Sequence, residues 1–98
     1  MRAATPLVSS VRFTRANDDD VQTGLLGFVT CTFNDVLQVD GVTLRRCRDG
    51  RIALSWPARS DGAGRRHPIL RPLDDHARQQ LERQIIKAIA ADLTEFLP

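Results

Sequence analysis

The stretch that decides the fold is VTLRRCRDGRIALSW, residues 42–56. Asp49-Gly50 is typical of a tight β-hairpin, because a two-residue hairpin turn requires positive φ at both central positions. The apolar residues of the returning strand alternate with small polar ones and share one face: Ile52, Leu54 and Trp56. We therefore predict a β-hairpin whose second strand ends before Pro57, because proline cannot donate a hydrogen bond to a sheet.

Four features upstream of this hairpin predict more of the sheet. From Leu7 the residues alternate with period two, which predicts a first strand with one buried face. Residues 17–20, Asn-Asp-Asp-Asp, favour a turn that reverses the chain. Residues 24–33 are apolar on both sides and predict an inner strand, while a change of apolar phase near Gly41 predicts a β-bulge.

The segment after the hairpin contains a loop and then a helix. Residues 57–66 show no periodicity and predict an exposed, mobile loop, followed by a brief extended piece at residues 67–70. The Asp74-Asp75 pair suits the first turn of a helix, which we expect to run to about Leu93. Apolar residues recur along this helix at intervals of three and four: Ala77, Leu81, Ile85, Ala88, Ile89 and Leu93.

These patterns predict an α+β fold, an antiparallel β-sheet of about four to five strands in β-hairpins with one C-terminal α-helix packed on it. We expect a disordered tail at residues 1–6 and a single domain over residues 7–98. The core has few aromatic residues, with four Phe, one Trp and no Tyr. A core of this kind is small, so completion by a partner subunit, as a dimer, is a natural expectation.

Composition places the chain among globular proteins. Its 98 residues are 42% hydrophobic and 27% charged, and no window approaches the roughly 18–20 apolar residues needed to cross a bilayer. The N-terminus lacks the apolar region of a secretory signal. Two cysteines are fewer than a small secreted domain usually carries. We therefore expect a cytoplasmic protein with no membrane partner.

Positive charge is concentrated in one quarter of the chain. Residues 45–71 contain eight Arg but only two acids, Asp49 and Asp61, giving a net charge of +6. Such an asymmetry favours an anionic partner. The cations of the whole chain are 13 Arg and one Lys, so a general bias toward arginine explains the same count equally well.

No catalytic or metal centre is predicted. The order Cys31, Cys47, His67, His76 lacks the close pairs of a structural zinc site. No phosphate loop, dinucleotide fingerprint or nucleophile motif occurs. We therefore expect no enzyme activity, no metal, no cofactor and no small-molecule substrate.

The order of motifs in the second half of the chain is distinctive. Residues 50–59, GRIALSWPAR, are followed by Asp61-Gly62 and then by His67-Pro68-Ile69 before the C-terminal helix. This order resembles the stage V sporulation protein G (SpoVG) family, and residues 11–13 and 39–42 fall where that family has comparable elements. The resemblance extends over roughly residues 8–92.

The resemblance implies a homodimeric α+β fold and a bacterial regulatory protein that binds DNA or RNA. It also implies a role in transcription regulation, sporulation and septation, that is, cell division, without enzyme activity. Because guanidinium groups bind phosphate through paired hydrogen bonds, the candidate nucleic-acid-binding residues are the arginines of the basic segment and of the helix: Arg45, Arg46, Arg48, Arg51, Arg59, Arg65, Arg66, Arg71 and Arg78.

An alternative function remains open at this point. The same arginines could meet an acidic protein surface, which would make the chain a protein-interaction or division-associated scaffold.

Overall fold

The computed structural model describes residues 6–97 and has an α+β architecture. The main sheet is antiparallel, with its four strands in chain order: β1 (Val8–Arg15), β2 (Leu25–Phe33), β3 (Leu37–Arg46) and β4 (Ile52–Ser55). A second sheet pairs two short strands: β5 (Ala58–Ser60) and β6 (Arg66–Pro68). The helices are α1 (Asp18–Gln22), α2 (Asp75–Ala88) and a 3-10 helix (Ala90–Phe96). The predicted class and the C-terminal helix are confirmed, although the strands form two sheets rather than one.

The predicted N-terminal tail falls mostly outside the described residues. Residues 1–5 are not described, whereas the carbonyl oxygen of Pro6 accepts a hydrogen bond of 3.0 Å from Gln84 Nε2.

The predicted hairpin around Asp49-Gly50 joins β3 to β4, with Arg46 opposite Ile52. The Gly50 N–H donates to the Cys47 carbonyl at 2.9 Å. Of the two central residues only Gly50 has positive φ, at 87°, so the expectation of positive φ at both positions was wrong. The turn is one residue longer than predicted, since a left-handed glycine closes a three-residue loop.

The upstream predictions are confirmed with one correction. β2 lies between β1 and β3, as expected of an inner strand. The chain reverses after β1, but through the short helix α1, whose N-cap Asn17 accepts a hydrogen bond from the Asp20 N–H at 2.8 Å. Gly41 has a φ of 85° at a register shift between β2 and β3. This bulge brings Val39 and Val42 to the same buried face.

α2 and the 3-10 helix cover one face of the main sheet. α2 begins after the N-cap Asp74, whose side chain accepts from the Ala77 N–H at 2.9 Å. It ends at Ala88 rather than near Leu93, and the chain tightens into the 3-10 helix. Three residues per turn place Leu93 and Phe96 on the same side, and both are buried. Within residues 6–97 no helix is long and apolar enough to cross a membrane.

The core lies between the sheet and these helices. The sheet contributes buried residues from β2, β3 and β4: Leu26, Val29, Cys31, Val39, Val42, Leu44 and Leu54. The helices contribute the opposing layer: Ile85, Ile89, Leu93 and Phe96. Of the predicted helix stripe, Ala77 is only half-buried and Ala88 is exposed. The sheet therefore has one covered face.

The segment predicted to be a loop forms a hairpin, which we call the arm, residues 58–68. Ala58 lies opposite Pro68 and Arg59 opposite His67. The Asp61 carboxylate organises the turn by accepting from the backbone N–H groups of Ala63 and Arg65, both at 2.9 Å. The prediction failed because most of the arm is exposed on both sides, so its sequence needs no apolar alternation.

Candidate nucleic-acid interface

The face of the main sheet opposite α2 carries no buried side chain among the described residues. We call it the open face. Strand alternation and pairing place on it three hydroxyl or amide residues of β2 and β3, Thr30, Thr32 and Gln38, and two cross-strand rows. The first row is Thr14, Phe28, Thr43 and Ser55, and the second is Leu25, Arg45 and Ala53. Arg12 lies opposite Thr30 on the same face.

Two of the nine predicted arginines reach this open face. Arg45 is exposed on β3 and makes no ion pair with any described residue. Arg66 belongs to the arm, but its Nη2 donates to Ser55 Oγ at 3.4 Å, so its guanidinium lies at the β4 edge of the open face. The structure therefore places on one face two charges that are 21 positions apart in the sequence.

Arg46 lies on the covered side instead. Its Nη2 donates to the Phe96 carbonyl oxygen at 2.7 Å, and its guanidinium lies 6.0 Å from the centre of the Phe96 ring. Arg15 contacts the same ring from 5.9 Å and pairs with Glu95 at 2.8 Å. These two arginines hold the 3-10 helix against the rim of the sheet.

At the tip of the β3–β4 hairpin, one arginine is neutralised and one is free. Arg51 Nε pairs with Asp49 Oδ2 at 2.8 Å. Hydrogen bonds from the Arg51 backbone and guanidinium lower the pKa of the Asp49 carboxyl, which keeps this carboxyl charged. Arg48, by contrast, is exposed and makes no ion pair within residues 6–97.

The arm and the segment after it carry further arginines. Arg65 pairs with Asp61 at 3.5 Å, and the same carboxylate accepts a hydrogen bond from His67 Nε2 at 2.7 Å. The hydrogen bond from His67, followed by that from the Arg65 N–H, lowers the pKa of Asp61. Arg59 and Arg71 are exposed and have no acidic partner in the described part of the chain.

Arg78 lies on α2, on the opposite side of the sheet from Arg45. It pairs with Glu82 at 3.1 Å and with Asp75 at 3.6 Å. Because α2 covers the opposite face, Arg78 cannot share a surface with Arg45. Of the nine predicted residues, those that make no ion pair with residues 6–97 are Arg45, Arg46, Arg48, Arg59, Arg66 and Arg71, and among these Arg46 is engaged with Phe96.

Sequence reasoning missed Arg12 and Phe28. Arg12 lies outside the basic segment, and Phe28 was expected on one side of a strand that is apolar on both sides. Phe28 is 43% exposed on the open face, between Thr14 and Thr43. The available signal was the pair Thr30 and Thr32, in phase with Phe28 on the same strand, because threonine is mostly exposed in folded proteins.

The histidines and cysteines are dispersed. His67 bonds Asp61, and His76 Nε2 lies 2.9 Å from Gln80 Nε2. Cys31 is buried in the core, and burial raises the pKa of its thiol. Across residues 6–97, no three His, Cys, Asp or Glu side chains are grouped so that they could hold a metal ion.

Comparison with known proteins gives no family. No family model matches the chain, and no curated protein matches it significantly. The similarity to the SpoVG family therefore stays a prediction, and the function must be inferred from the arrangement of these residues.

Proposed function

We propose that this chain is a regulatory protein that binds nucleic acid, DNA or RNA, through arginines of the open face and of the arm. The observation that carries the proposal is the set of exposed guanidinium groups without carboxylate partners in the described chain: Arg45, Arg48, Arg59, Arg66 and Arg71. An arginine that is already paired has its charge partly neutralised by the carboxylate, which weakens its attraction for phosphate. The unpaired ones are available at once.

The position of these arginines also supports a polyanion rather than a small anion. Arg66 joins the arm to the edge of the open face through Ser55, and Arg59 lies on the strand paired with that of Arg66. Charges spread along an extended surface suit a ligand with regularly repeated phosphates. We therefore place the phosphate backbone along the arm and the adjoining sheet edge.

A matched pair of charge reversals tests this function. The double variant Arg59→Glu/Arg66→Glu changes the net charge as much as Arg83→Glu/Lys87→Glu, which alters exposed residues of α2 without described ion pairs. We expect the first variant to weaken binding by about tenfold or more, and the second to bind nearly as well as the unmodified protein. Mobility shifts on DNA and RNA measure the difference.

Equal losses in the two variants would mean that net charge alone is recognised and would contradict the proposed surface. Failure of the unmodified protein to shift DNA or RNA at low salt would overturn the proposal altogether. Capture of acidic proteins that survives nuclease treatment, without bound oligonucleotides, would instead favour the scaffold function.

Salt dependence gives an independent measurement. Each phosphate that a protein neutralises on duplex DNA contributes about −0.9 to the slope of log affinity against log salt. The Arg59→Glu/Arg66→Glu variant should therefore show a slope shallower by about two. A binding constant that does not change with salt would exclude phosphate contacts.

We also propose that the protein is a homodimer, as its similarity to the SpoVG family suggests. A largely apolar depression of ≈210 Å³ supports this, lined by Leu37, Gln38, Val39, Asp40, Pro57, Ile69 and Leu70. Leu37 is 52% and Ile69 65% exposed. A second copy would cover this patch, and the dimer would duplicate the basic arms.

Light scattering tests the dimer. Ile69→Asp places a charge in the patch and should produce a monomer, whereas Leu73→Asp, at a residue that is 86% exposed and does not line the depression, should leave the dimer intact. A monomeric unmodified protein would refute this part of the proposal.

The cellular role is the broadest part of the proposal. A regulator that binds nucleic acid would act on gene expression, and the resemblance points to sporulation and septation. Deletion of the coding sequence followed by transcript profiling and microscopy of septa would test that role. Unchanged transcripts and normal septa would contradict it.

A further inference from the structure

We propose that single-stranded DNA or RNA crosses the open face, with one base stacked on Phe28 and its phosphates held by Arg12, Arg45 and Arg66. This inference rests on the proposed function and specifies its ligand. It assigns a binding role to Arg12 and Phe28, which lie outside the basic segment of the sequence.

Phe28 contributes little to the packing of the core. It lies on the central strand β2, and its direct cross-strand neighbours on the open face are Thr14 and Thr43. It is 43% exposed and does not belong to the hydrophobic core. An aromatic side chain that is exposed near the centre of a sheet surface is available for stacking, and an aromatic ring can stack on any base.

The charges around Phe28 complement a nucleic-acid backbone. Arg12 lies opposite Thr30, two residues along β2 from Phe28, while Arg45 lies two residues along β3 from Thr43. These diagonal positions lie about 7–8 Å from the ring position and toward opposite ends of the strands. Phosphates on both sides of a stacked base would therefore meet a guanidinium.

A third arginine extends this path, and an acidic residue lies near its Arg12 end. Arg66 reaches Ser55 at the far end of the row that contains Phe28. Asp40 lies on β3 at the level of Thr30, and so toward Arg12, and its Oδ1 accepts a hydrogen bond of 3.2 Å from Gln38 Nε2. None of the three arginines has a carboxylate partner within the described residues, so none must be released before binding.

A polar depression beside Arg12 continues this surface. It has a volume of ≈370 Å³ and is lined by Ser10, Arg12, Thr30, Cys31, Thr32 and Gln38. Its hydroxyl and amide groups can hydrogen-bond the edge of a base. Ser10, at a register shift of β1, has a φ of 51°, a conformation that non-glycine residues adopt rarely.

These features favour a single strand over a duplex. In a duplex the base faces are stacked on one another, so an aromatic ring on a sheet cannot reach them without base pairs opening. In a single strand the bases can splay out and stack on protein side chains. Phe28 therefore has a partner only when the strand is single.

Fluorescence anisotropy with labelled oligo-dT, oligo-U and a DNA duplex tests the inference. Phe28→Ala should weaken binding of both single strands by about 5- to 150-fold, with little change for the duplex. Phe28→Tyr should restore most of the affinity, since it keeps the ring. Leu73→Ala removes a more exposed apolar side chain elsewhere and serves as the matched control.

A second variant tests the assigned arginine. Arg12→Gln should make the salt slope for single strands shallower by about one, whereas Arg83→Gln on α2 should leave it unchanged. If Arg12→Gln left the salt dependence of single-strand binding unchanged, Arg12 would not contact a phosphate.

The outcomes separate this inference from the function on which it rests. If the unmodified protein binds no nucleic acid, both are wrong. If it binds but Phe28→Ala retains full single-strand affinity, or loses duplex affinity equally, only the stacking site is wrong. If Phe28→Ala converts a dimer to a monomer in light scattering, the open face is covered by a second copy and the inference is overturned.

Discussion

Arg45 and Arg46 are adjacent in sequence but lie on opposite faces of β3. Arg46 donates to the Phe96 carbonyl and lies against the Phe96 ring, whereas Arg45 has no acidic partner among the described residues. The difference follows from the alternation of side chains along a strand. A basic segment in a sequence is therefore not a basic surface, because half of the charges on a strand face the other way.

The two faces of the sheet differ in the same way. The covered face is filled mainly by aliphatic residues of the sheet and of α2, while the open face carries threonines, arginines, Phe28 and Leu25. On the covered face a side chain contributes to stability through burial. On the open face it contributes little to stability and is free to bind. Substitutions on each face should therefore change different measurements.

The largest expected effect comes from the covered face. Ile85→Ala removes a fully buried side chain from α2 and should lower the free energy of unfolding by about 2–5 kcal/mol through lost burial and a residual cavity. Phe28→Ala on the open face should change it by only about 0.5 kcal/mol. Urea denaturation followed by circular dichroism measures both. Equal losses would mean that the open face is buried in solution.

A tight contact on the covered face gives the next effect. A Cβ at Gly27 would meet the ring of Phe13 and lie 2.5 Å from the Thr14 carbonyl oxygen, which as backbone cannot move cheaply. Gly27→Ala should therefore destabilise the fold by about 1–3 kcal/mol. Gly62→Ala is the control, since nothing lies within 4 Å of its added Cβ. A neutral Gly27→Ala in thermal unfolding would contradict the packing of β1 on β2.

The adjacent arginines provide the most direct comparison. Arg46→Gln loses a charged hydrogen bond and a ring contact and should lower stability by about 1–2 kcal/mol, with nucleic-acid affinity nearly unchanged. Arg45→Gln should leave stability within about 0.5 kcal/mol and reduce affinity. Denaturation and anisotropy on the same two proteins separate the roles. If both variants changed both measurements equally, the assignment of the two faces would fail.

The smallest effect concerns the arm. Because the pKa of Asp61 is lowered in the folded arm, the ordered form binds a proton more weakly than the open chain, whose Asp has a pKa of about 3.9. The arm should thus be fully stabilised above about pH 4 and should lose order as the pH falls through the lowered pKa. Amide exchange of residues 59–66 by NMR follows this change. Asp61→Asn should remove the pH dependence.

Much of the fold could be predicted from local patterns. The hairpin at Asp49-Gly50, the bulge at Gly41, the inner strand β2 and the beginning of α2 each depend on residues close together in sequence. The arm could not be predicted in this way. A two-stranded ribbon that is exposed on both sides has no buried face, so its sequence shows no alternation of apolar and polar residues. The end of α2 could not be predicted either, since the 3-10 helix depends on the docking of Phe96 between Arg15 and Arg46.

The candidate site, like the fold, could be predicted only in part from the sequence. The sequence by itself determined the charge of the basic segment, the residue types that can bind phosphate and the strands that carry them, because these follow from composition and local periodicity. Only the tertiary structure decided which arginines are paired, which are engaged with Phe96 and which lie beside Phe28. Those outcomes depend on which face α2 covers and on the bulges that set strand register, so they arise from contacts between residues far apart in the chain.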